Sequence, residues 1–364
     1  MFALLKQEKN LLIALVVTVL AYFVEHTVLA GGRGPALIAT LVLIVTIVLA
    51  SLRVAHHAEQ LAHHVGEPYG TMILTLSAVF VEVVILAIMM THTTSPTLVR
   101  DTIYSAVMLD INGILGIAAI IGGLKHGEQP YNVDSGNTYI VMILTAMGVS
   151  MVVPEFVPIR HWQAYSIFSI VLMAVLYGMF LRLQTGQHSH FFRYKYAEAR
   201  RTPAAVGHEH DAPAPVGVSA GCLAAGIILI GLLAEVMSKT LEMGIEGSGV
   251  PPIVAALLVA AISASPEVLT AMRASLRNRM QPVVNIALGA SLSTVILTVP
   301  VIEALALFTD RQIEMAMTPA QTVMATLTLL VAAINLHDGE TNAIEGLTHF
   351  VLFAAFLMLA VLGV

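Results

Sequence analysis

The sequence predicts an all-α membrane protein of about eleven transmembrane helices, with two inverted five-helix repeats behind one extra N-terminal helix. Hydrophobic residues make up 57% of the 364 residues and charged residues only 11%, which excludes an ordinary soluble fold of this length. Apolar runs of about 20 residues recur along the chain, and such a run crosses a hydrocarbon core of about 30 Å as a helix. The same order of polar interruptions occurs in each half, which indicates internal symmetry.

Eleven segments are expected to span the bilayer, at about 10–29, 34–54, 70–90, 101–123, 138–157, 162–183, 216–236, 252–272, 282–307, 318–337 and 342–363. The first follows Lys6 and Lys9, but its apolar stretch is long and lacks a clear cleavage site. We therefore expect a retained helix rather than a signal peptide. The single cysteine, Cys222, excludes a disulfide framework and is expected to pack inside the seventh span.

Lysine and arginine residues predict the orientation in the membrane. Of the 17 such residues, twelve fall in segments on one side of the predicted spans and five on the other. Because cytoplasmic loops carry the excess of basic residues, the N-terminus is expected in the cytoplasm and the C-terminus outside the plasma membrane.

The spans divide the chain into four parts: an N-terminal helix (1–33), a first repeat (34–183), a linker (184–215) and a second repeat (216–364). The linker is polar, Pro-rich near its end, and holds four histidines, namely His188, His190, His208 and His210. It is either a flexible cytoplasmic connection or a segment that senses metal ions or pH, since His-x-His pairs bind divalent metals.

One glutamate stands inside the second helix of each half: Glu82 in the third span and Glu267 in the eighth. A charged side chain at a helix centre costs roughly 2.5–3.5 kcal/mol on insertion scales, so accident explains two matching positions poorly. Each is followed by a helix with a glycine-containing polar break, at 108–123 and 282–300. Interrupted helices in corresponding positions are typical of secondary transporters that bind substrate at the bilayer midplane.

Other acidic residues are assigned differently. Glu25, Glu155, Glu235 and Glu303 lie near span ends, where water is close, and are expected to be structural. Asp110 lies well inside the fourth span and is either part of an ion path or a partner in helix packing.

Oxygen ligands for a cation are available near the two glutamates. Pro266 precedes Glu267, and a proline frees the carbonyl four residues back, so this turn can offer oxygens beside the carboxylate. Hard cations such as Ca²⁺ take six to eight oxygens. The candidate auxiliary ligands are Ser77, Asp110, Asn112, Ser263, Ser265, Asn285, Ser291 and Ser293. The alternative for the serines is a hydrogen bond to their own helix backbone.

Three segments carry a family resemblance: VNIALGASLSTVILTVPVI (284–302), GEPYG (66–70) and DGETNAIEG (338–346). With the two glutamate-bearing repeats, they resemble the cation/calcium exchanger superfamily, in its calcium/proton antiporter branch and closest to bacterial ChaA-type antiporters. The resemblance implies two inverted five-helix repeats in which Glu82 and Glu267 bind cation and proton in turn. The Gly-Asn-Ala type sequence before the glutamates of many exchangers is replaced here by SAVFVE and SASPE.

Two polar junctions are expected on the cytoplasmic side. His56, Glu59, His63 and Glu67 recur at helical spacing before the third span, and Asp338, Glu340 and Glu345 lie between the last two spans. The first junction is either a solvated interfacial helix or an access route and pH sensor. The second is either a capped turn or an ion vestibule.

The sequence thus predicts a transporter that exchanges Ca²⁺, and also Na⁺ or K⁺, for H⁺ across the lipid bilayer, with no enzymatic activity, cofactor or nucleic-acid partner. Proton and metal compete for the same buried oxygens, so the protein changes face only when it is loaded with one or the other. A monovalent-only Na⁺(K⁺)/H⁺ antiporter is the main alternative. An intramembrane hydrolase and a cation channel are remote ones, since no span carries a hydrolase motif.

The charge bias generates a topology prediction. A reporter fused after Val364 should lie outside the cytoplasm, and one inserted within residues 200–212 should lie inside it. Paired phosphatase and fluorescent-protein reporters in intact cells measure the side directly. If both insertions report the same side, the inverted arrangement is wrong.

Overall fold

A computed structural model of the chain describes residues 8–65, 69–92, 95–194 and 215–363. The extra N-terminal helix is α1 (Lys9–Ala30), and the first half continues with α2 (Arg33–Val65) and α3 (Tyr69–His92). The fourth span consists of α4 (Leu98–Met108), a π-helical segment (Leu109–Leu115) and α5 (Gly116–His126). This π-helical segment is named π1.

The first half ends with two more spans. Helix α6 (Val133–Met147) passes into a π-helical turn (Gly148–Val152) and a 3₁₀ turn (Val153–Phe156). A second 3₁₀ turn (Ile159–His161) precedes α7 (Trp162–Thr185), and a third (Ser189–Phe192) follows it. The predicted boundaries of these spans agree with the helices to within a few residues.

The second half follows the same order. It contains α8 (Val216–Ile245), the bent pair α9 (Pro252–Ser263) and α10 (Ser265–Leu276), then α11 (Met280–Ser293), a π-helical segment named π2 (Thr294–Thr298) and α12 (Val299–Phe308), and finally α13 (Pro319–Asn335) and α14 (Ala343–Leu362). Two-residue strands β1 (Gln129–Pro130) and β2 (Glu340–Thr341) pair antiparallel and join the halves.

The prediction of an all-α membrane protein with inverted repeats is confirmed. Within the described residues, nine helical runs are long and apolar enough to span a membrane, and the α9–α10 pair, bent by 56°, makes up to ten. The tenth predicted span, 318–337, is α13, an apolar helix of only 17 residues. Pro266 lies just after the α9–α10 bend, where a missing backbone N–H interrupts the helical ladder.

The two broken spans are equivalent by position. The number of residues from Glu82 to Leu109, where π1 begins, equals the number from Glu267 to Thr294, where π2 begins. The sequence predicted the break of the ninth span around its glycine, Gly289. In the structure the break lies further along, at Thr294, because α11 stays regular through Ser293. Each π-helical segment adds a wide turn, and such turns are frequent at functional sites.

Small residues set the closest helix contacts. At Gly346 of α14, an added Cβ would lie 2.6 Å from the Ile120 backbone nitrogen and 2.7 Å from the Gly116 carbonyl oxygen. At Gly116, an added Cβ would lie 2.8 Å from the Cβ of His349. Helix α14 of the second half is thus held in backbone contact with α5 of the first.

Gly346→Ala is predicted to destabilise the folded protein by about 1–3 kcal/mol, because the new methyl group meets backbone that cannot rotate away. Gly178→Ala in α7 is the matched control, since an added Cβ there has no neighbour within 4 Å. Thermal unfolding of both variants in detergent measures the difference. Equal melting temperatures would show that the contact between α14 and α5 is not tight.

Candidate cation site

Glu82 of α3 is held by the other half of the chain. Its side chain is 4% exposed, and its Oε2 accepts hydrogen bonds from Thr294 Oγ1 at 2.9 Å and Thr298 Oγ1 at 3.2 Å. The two threonines begin and end π2. Among the described residues, the other oxygen, Oε1, has no hydrogen-bond partner. Glu82 is therefore fixed at one oxygen and available to a cation or proton at the other.

Glu267 is placed by the bend in its span. It is the third residue of α10, after Ser265 and Pro266, so its carboxylate lies at a helix N-terminus. The unpaired backbone N–H groups there carry partial positive charge, which stabilises an anion. Its Oε2 is buried and has no partner within the described part of the chain. Within the described residues, Glu267 thus has fewer side-chain hydrogen-bond donors than Glu82.

Asp110 is the third acidic residue of the site. It lies in π1, is 2% exposed, and accepts a hydrogen bond from Ser291 Oγ at 3.1 Å on Oδ2. The charges of Glu82 and Glu267 both act on Asp110. Asp110 thus lines the same cavity as the two glutamates and also joins π1 to α11 through Ser291.

These three carboxylates line one cavity of about 930 Å³. Along α3 its lining runs from Thr75 to Glu82, and along α7 from Tyr177 to Thr185. At its far end it reaches solvent-exposed Arg193, next to the linker. The cavity therefore connects the acidic residues to the end of the bundle that holds the linker.

A charge network around buried Arg100 joins the two halves at the opposite end of the bundle. Arg100 of α4 is 6% exposed; its Nε donates to Asp101 Oδ1 at 2.9 Å and its Nη1 to Glu314 Oε1 at 3.2 Å. Gln321 of α13 donates to the same Asp101 oxygen at 2.9 Å. None of these residues lines the cavity among the described positions. They bind the two halves together on that side.

The predicted auxiliary ligands separate into groups. Ser77, Ser263, Asn285 and Ser293 line the cavity, together with Thr75. The hydroxyls of Ser263, Ser265 and Ser293 donate to their own helix, to Ala260 O at 3.0 Å, Ile262 O at 2.8 Å and Gly289 O at 2.7 Å. In this conformation the three serines therefore bond to their own helix backbone, which is the alternative to their acting as cation ligands.

The two predicted asparagine ligands are both engaged elsewhere. Asn285 lines the cavity, but its Nδ2 donates to the Phe192 carbonyl at 3.0 Å and its Oδ1 accepts from Gln281 at 2.9 Å. Asn112 is fully buried, and within the described residues it is not part of the cavity wall. Its partners are Thr328 and His349.

Of the residues predicted at the first cytoplasmic junction, His56 and Glu59 line the cavity, and those of the second junction lie apart from it within the described residues. His56 lines the cavity near its exposed end. His63 belongs to α2, and Glu67 lies outside the described residues. Asp338 and Glu340 line a separate cleft of about 410 Å³ with Tyr131, while Glu345 lies in the first turn of α14. Asn342 caps α14 by accepting from the Ile344 and Glu345 backbone N–H groups, as the capped-turn interpretation expects.

Sequence reasoning missed Thr294 and Thr298, although their spacing of four residues in STVILT places two hydroxyls on one helix face. It also misjudged Glu303, which was expected near water but is 2% exposed, beside Ser166 and Ser169 of α7. The α12–α7 contact excludes water there even though the residue is near a span end.

A cluster at the ends of α1, α2 and α8 brings Glu8, His57 and Cys222 close enough together for metal binding. However, Arg53 donates to both oxygens of Glu8, and His57 Nε2 lies 3.1 Å from Glu8 Oε2. The guanidinium already neutralises the carboxylate and repels a metal ion. This cluster is an ion pair that joins α1 to α2.

The cavity with one glutamate from each half points to a known family of membrane transporters. The sodium/calcium exchanger protein family matches residues 35–186 and 218–362. The chain belongs to this family. The predicted resemblance is therefore confirmed, and the unmatched residues are mainly the N-terminal helix and the linker.

Two curated relatives and one solved structure illustrate the similarity. The sodium-potassium/proton antiporter ChaA of Escherichia coli is 32% identical over 329 residues, which cover 89% of each chain. The Ca²⁺/H⁺ antiporter ChaA of Bacillus subtilis is 26% identical and covers 68% of this chain and 70% of its own. Native YfkE has the same fold, with a TM-score of 0.73 at 19% identity over 93% of this chain and 99% of its own.

Removing both threonine donors, in Thr294→Val/Thr298→Val, is predicted to raise the cation KM about tenfold or more. Each hydrogen bond to a charged group is worth about 1.5–3 kcal/mol, and valine keeps the shape without the hydroxyl. Thr326→Val is the control, because Thr326 bonds only to its own helix, at Thr322 O, and is exposed. Cation-dependent proton release from vesicles measures KM, and an unchanged value in the double variant would contradict this role.

Proposed function

We propose that the protein is a cation/proton antiporter that exports Ca²⁺, with Na⁺ or K⁺ as further substrates, in exchange for H⁺. Glu82 and Glu267 bind cation and proton in turn. The observation that carries the proposal is that one glutamate from each half lines a single cavity, with Asp110 as a third carboxylate.

Charge neutralisation explains why such a site couples two ions. Three carboxylates in a water-poor region repel one another, and burial disfavours their ionised forms. The empty, fully ionised site is therefore unfavourable. Either cations or protons must occupy it before the protein can change conformation, which makes the two ions exclude each other.

Access from one side supports an alternating mechanism over a channel. The cavity reaches the linker end, whereas the Arg100 network at the other end joins the two halves and lies outside the described cavity wall. In the proposed orientation, with the N-terminus in the cytoplasm of a plasma membrane, this conformation faces inward. Opening on the outer side requires the contacts from Arg100 and Gln321 to Asp101 and Glu314 to rearrange.

The ligand chemistry favours hard cations. The cavity offers carboxylates, hydroxyls and amide oxygens, and the described part of its wall contains no sulfur ligand and a single imidazole, that of His56. Such oxygen sites suit Ca²⁺ and the alkali ions. Asp110 adds a third negative charge, which favours a divalent ion. The named relatives transport Na⁺ and K⁺ in one case and Ca²⁺ in the other, so the monovalent-only antiporter stays as the second candidate.

Glu82→Gln and Glu267→Gln are each predicted to abolish coupled exchange, by at least about a hundredfold, while the protein still inserts. Glutamine keeps the size of glutamate but can neither ionise nor release a proton. Glu303→Gln is the matched control, because Glu303 is equally buried but lies outside the cavity wall.

The measurement is proton release from proteoliposomes on addition of Ca²⁺, Na⁺ or K⁺ separately, with inserted protein quantified in parallel. Near wild-type exchange in either glutamine variant overturns the two-carboxylate mechanism. A response to Na⁺ and K⁺ without any response to Ca²⁺ selects the monovalent alternative. Ion flux that persists without a counter-ion selects a channel.

A further inference from the structure

His349 is a buried titratable residue that the exchange mechanism above does not use. It lies in α14, is 2% exposed, and its Nδ1 is 3.0 Å from Oδ1 of Asn112. Asn112 belongs to π1, two residues after Asp110. A side chain from the last helix of the second half thus contacts the broken helix that carries an acidic residue of the site.

The hydrogen bonds around Asn112 define the state of the imidazole. Asn112 Nδ2 donates to Thr328 Oγ1 of α13 at 2.7 Å, which turns Oδ1 toward His349. An amide oxygen only accepts, so Nδ1 of His349 carries the proton. Within the described residues, His349 Nε2 has no partner, and a second proton there would be buried without an acceptor. The contact therefore uses the neutral ring.

This contact anchors π1 on the side away from the cavity. In a helical segment, residues two apart point to nearly opposite faces, so Asp110 meets Ser291 and the cavity while Asn112 meets α13 and α14. A wide π-helical turn lacks the regular backbone ladder, and its geometry depends on neighbouring contacts. Helix α14 is a firm support because Gly116 and Gly346 place its backbone directly against α5.

Packing alone does not explain a histidine at this position. Leucine would fill a similar volume without leaving a buried nitrogen unpaired, which costs free energy. A histidine at this position is explained if its Nδ1–H is the donor that holds the Asn112 side chain in place. We infer that His349 is a positioning residue for the cation site, which fixes π1 through Asn112 so that Asp110 keeps its place in the cavity wall. This inference rests on the proposed exchange function.

The test compares three substitutions that separate the donor from the volume. Asparagine places an amide nitrogen where Nδ1 lies, so His349→Asn should keep the KM for Ca²⁺ or Na⁺ within about twofold of wild type. Glutamine extends its amide toward the Nε2 position, and leucine has no donor. His349→Gln and His349→Leu should therefore raise the cation KM about five- to tenfold, with the maximal rate changed by less than about twofold.

A second measurement asks whether His349 acts through Asn112. Asn112→Leu should raise KM to a similar extent, and Asn112→Leu/His349→Leu should be no worse than the more affected single variant, because both remove one anchor. Additive effects, a wild-type KM in His349→Gln, or a defect in His349→Asn equal to that in His349→Gln would each overturn the inference. So would a fall in thermal stability with no shift in KM.

Glu82→Gln, measured in the same vesicles, distinguishes failure of the two-carboxylate exchange function from failure of the positioning role of His349. If Glu82→Gln abolishes exchange and the His349 variants keep the wild-type KM, only the positioning role fails. If Glu82→Gln exchanges normally, the two-carboxylate function fails, and the His349 inference fails with it.

Discussion

The repulsion among three carboxylates that share one cavity inside the helix bundle is the constraint on which the rest of the structure depends. Glu82, Asp110 and Glu267 come from three different spans and share one cavity deep in the helix bundle. Holding them together costs electrostatic free energy that apolar packing elsewhere must offset. The supports are correspondingly specific: two threonines on Glu82, a serine on Asp110 and a helix N-terminus at Glu267. Each of these supports stabilises a negative charge on the carboxylate that it contacts.

The two halves place their π-helical segments at the same distance after the glutamates, but the residues at the corresponding positions differ. Because π1 and π2 begin equally far after their glutamates, Thr294 and Thr298 correspond to Leu109 and Gly113. The second half therefore offers two hydroxyls to Glu82, while the first half offers none from these positions to Glu267. The two glutamates are thus unlike ligands in this conformation. Two threonines hold one oxygen of Glu82, whereas Glu267 lies at a bend and receives no side-chain hydrogen bond within the described residues.

Much of the fold follows from the sequence, because a bilayer imposes span length and apolar composition directly. The same physics identifies Glu82 and Glu267, since a buried charge stands out in a hydrophobic run. What the sequence did not reveal depends on contacts between the halves. Helix packing decides whether Asn112 faces the cavity or α14. The extra residue in a π-helical turn rotates the side chains that follow it, which is enough to change the direction in which Asn112 points. The burial of Glu303 has the same origin, in the contact of α12 with α7.

The contacts between halves also account for the unusual sequences before the glutamates. SAVFVE and SASPE contain no amide beside either carboxylate. Around Glu82 that place is taken by the hydroxyls of Thr294 and Thr298 in π2 of the other half, and Asp110 of π1 lines the same cavity. Ligands carried on the opposite half move whenever the halves move against each other. A site built in this way fits the exchange proposed above, because an exchanger must lose affinity for the ion that it has carried when it changes face.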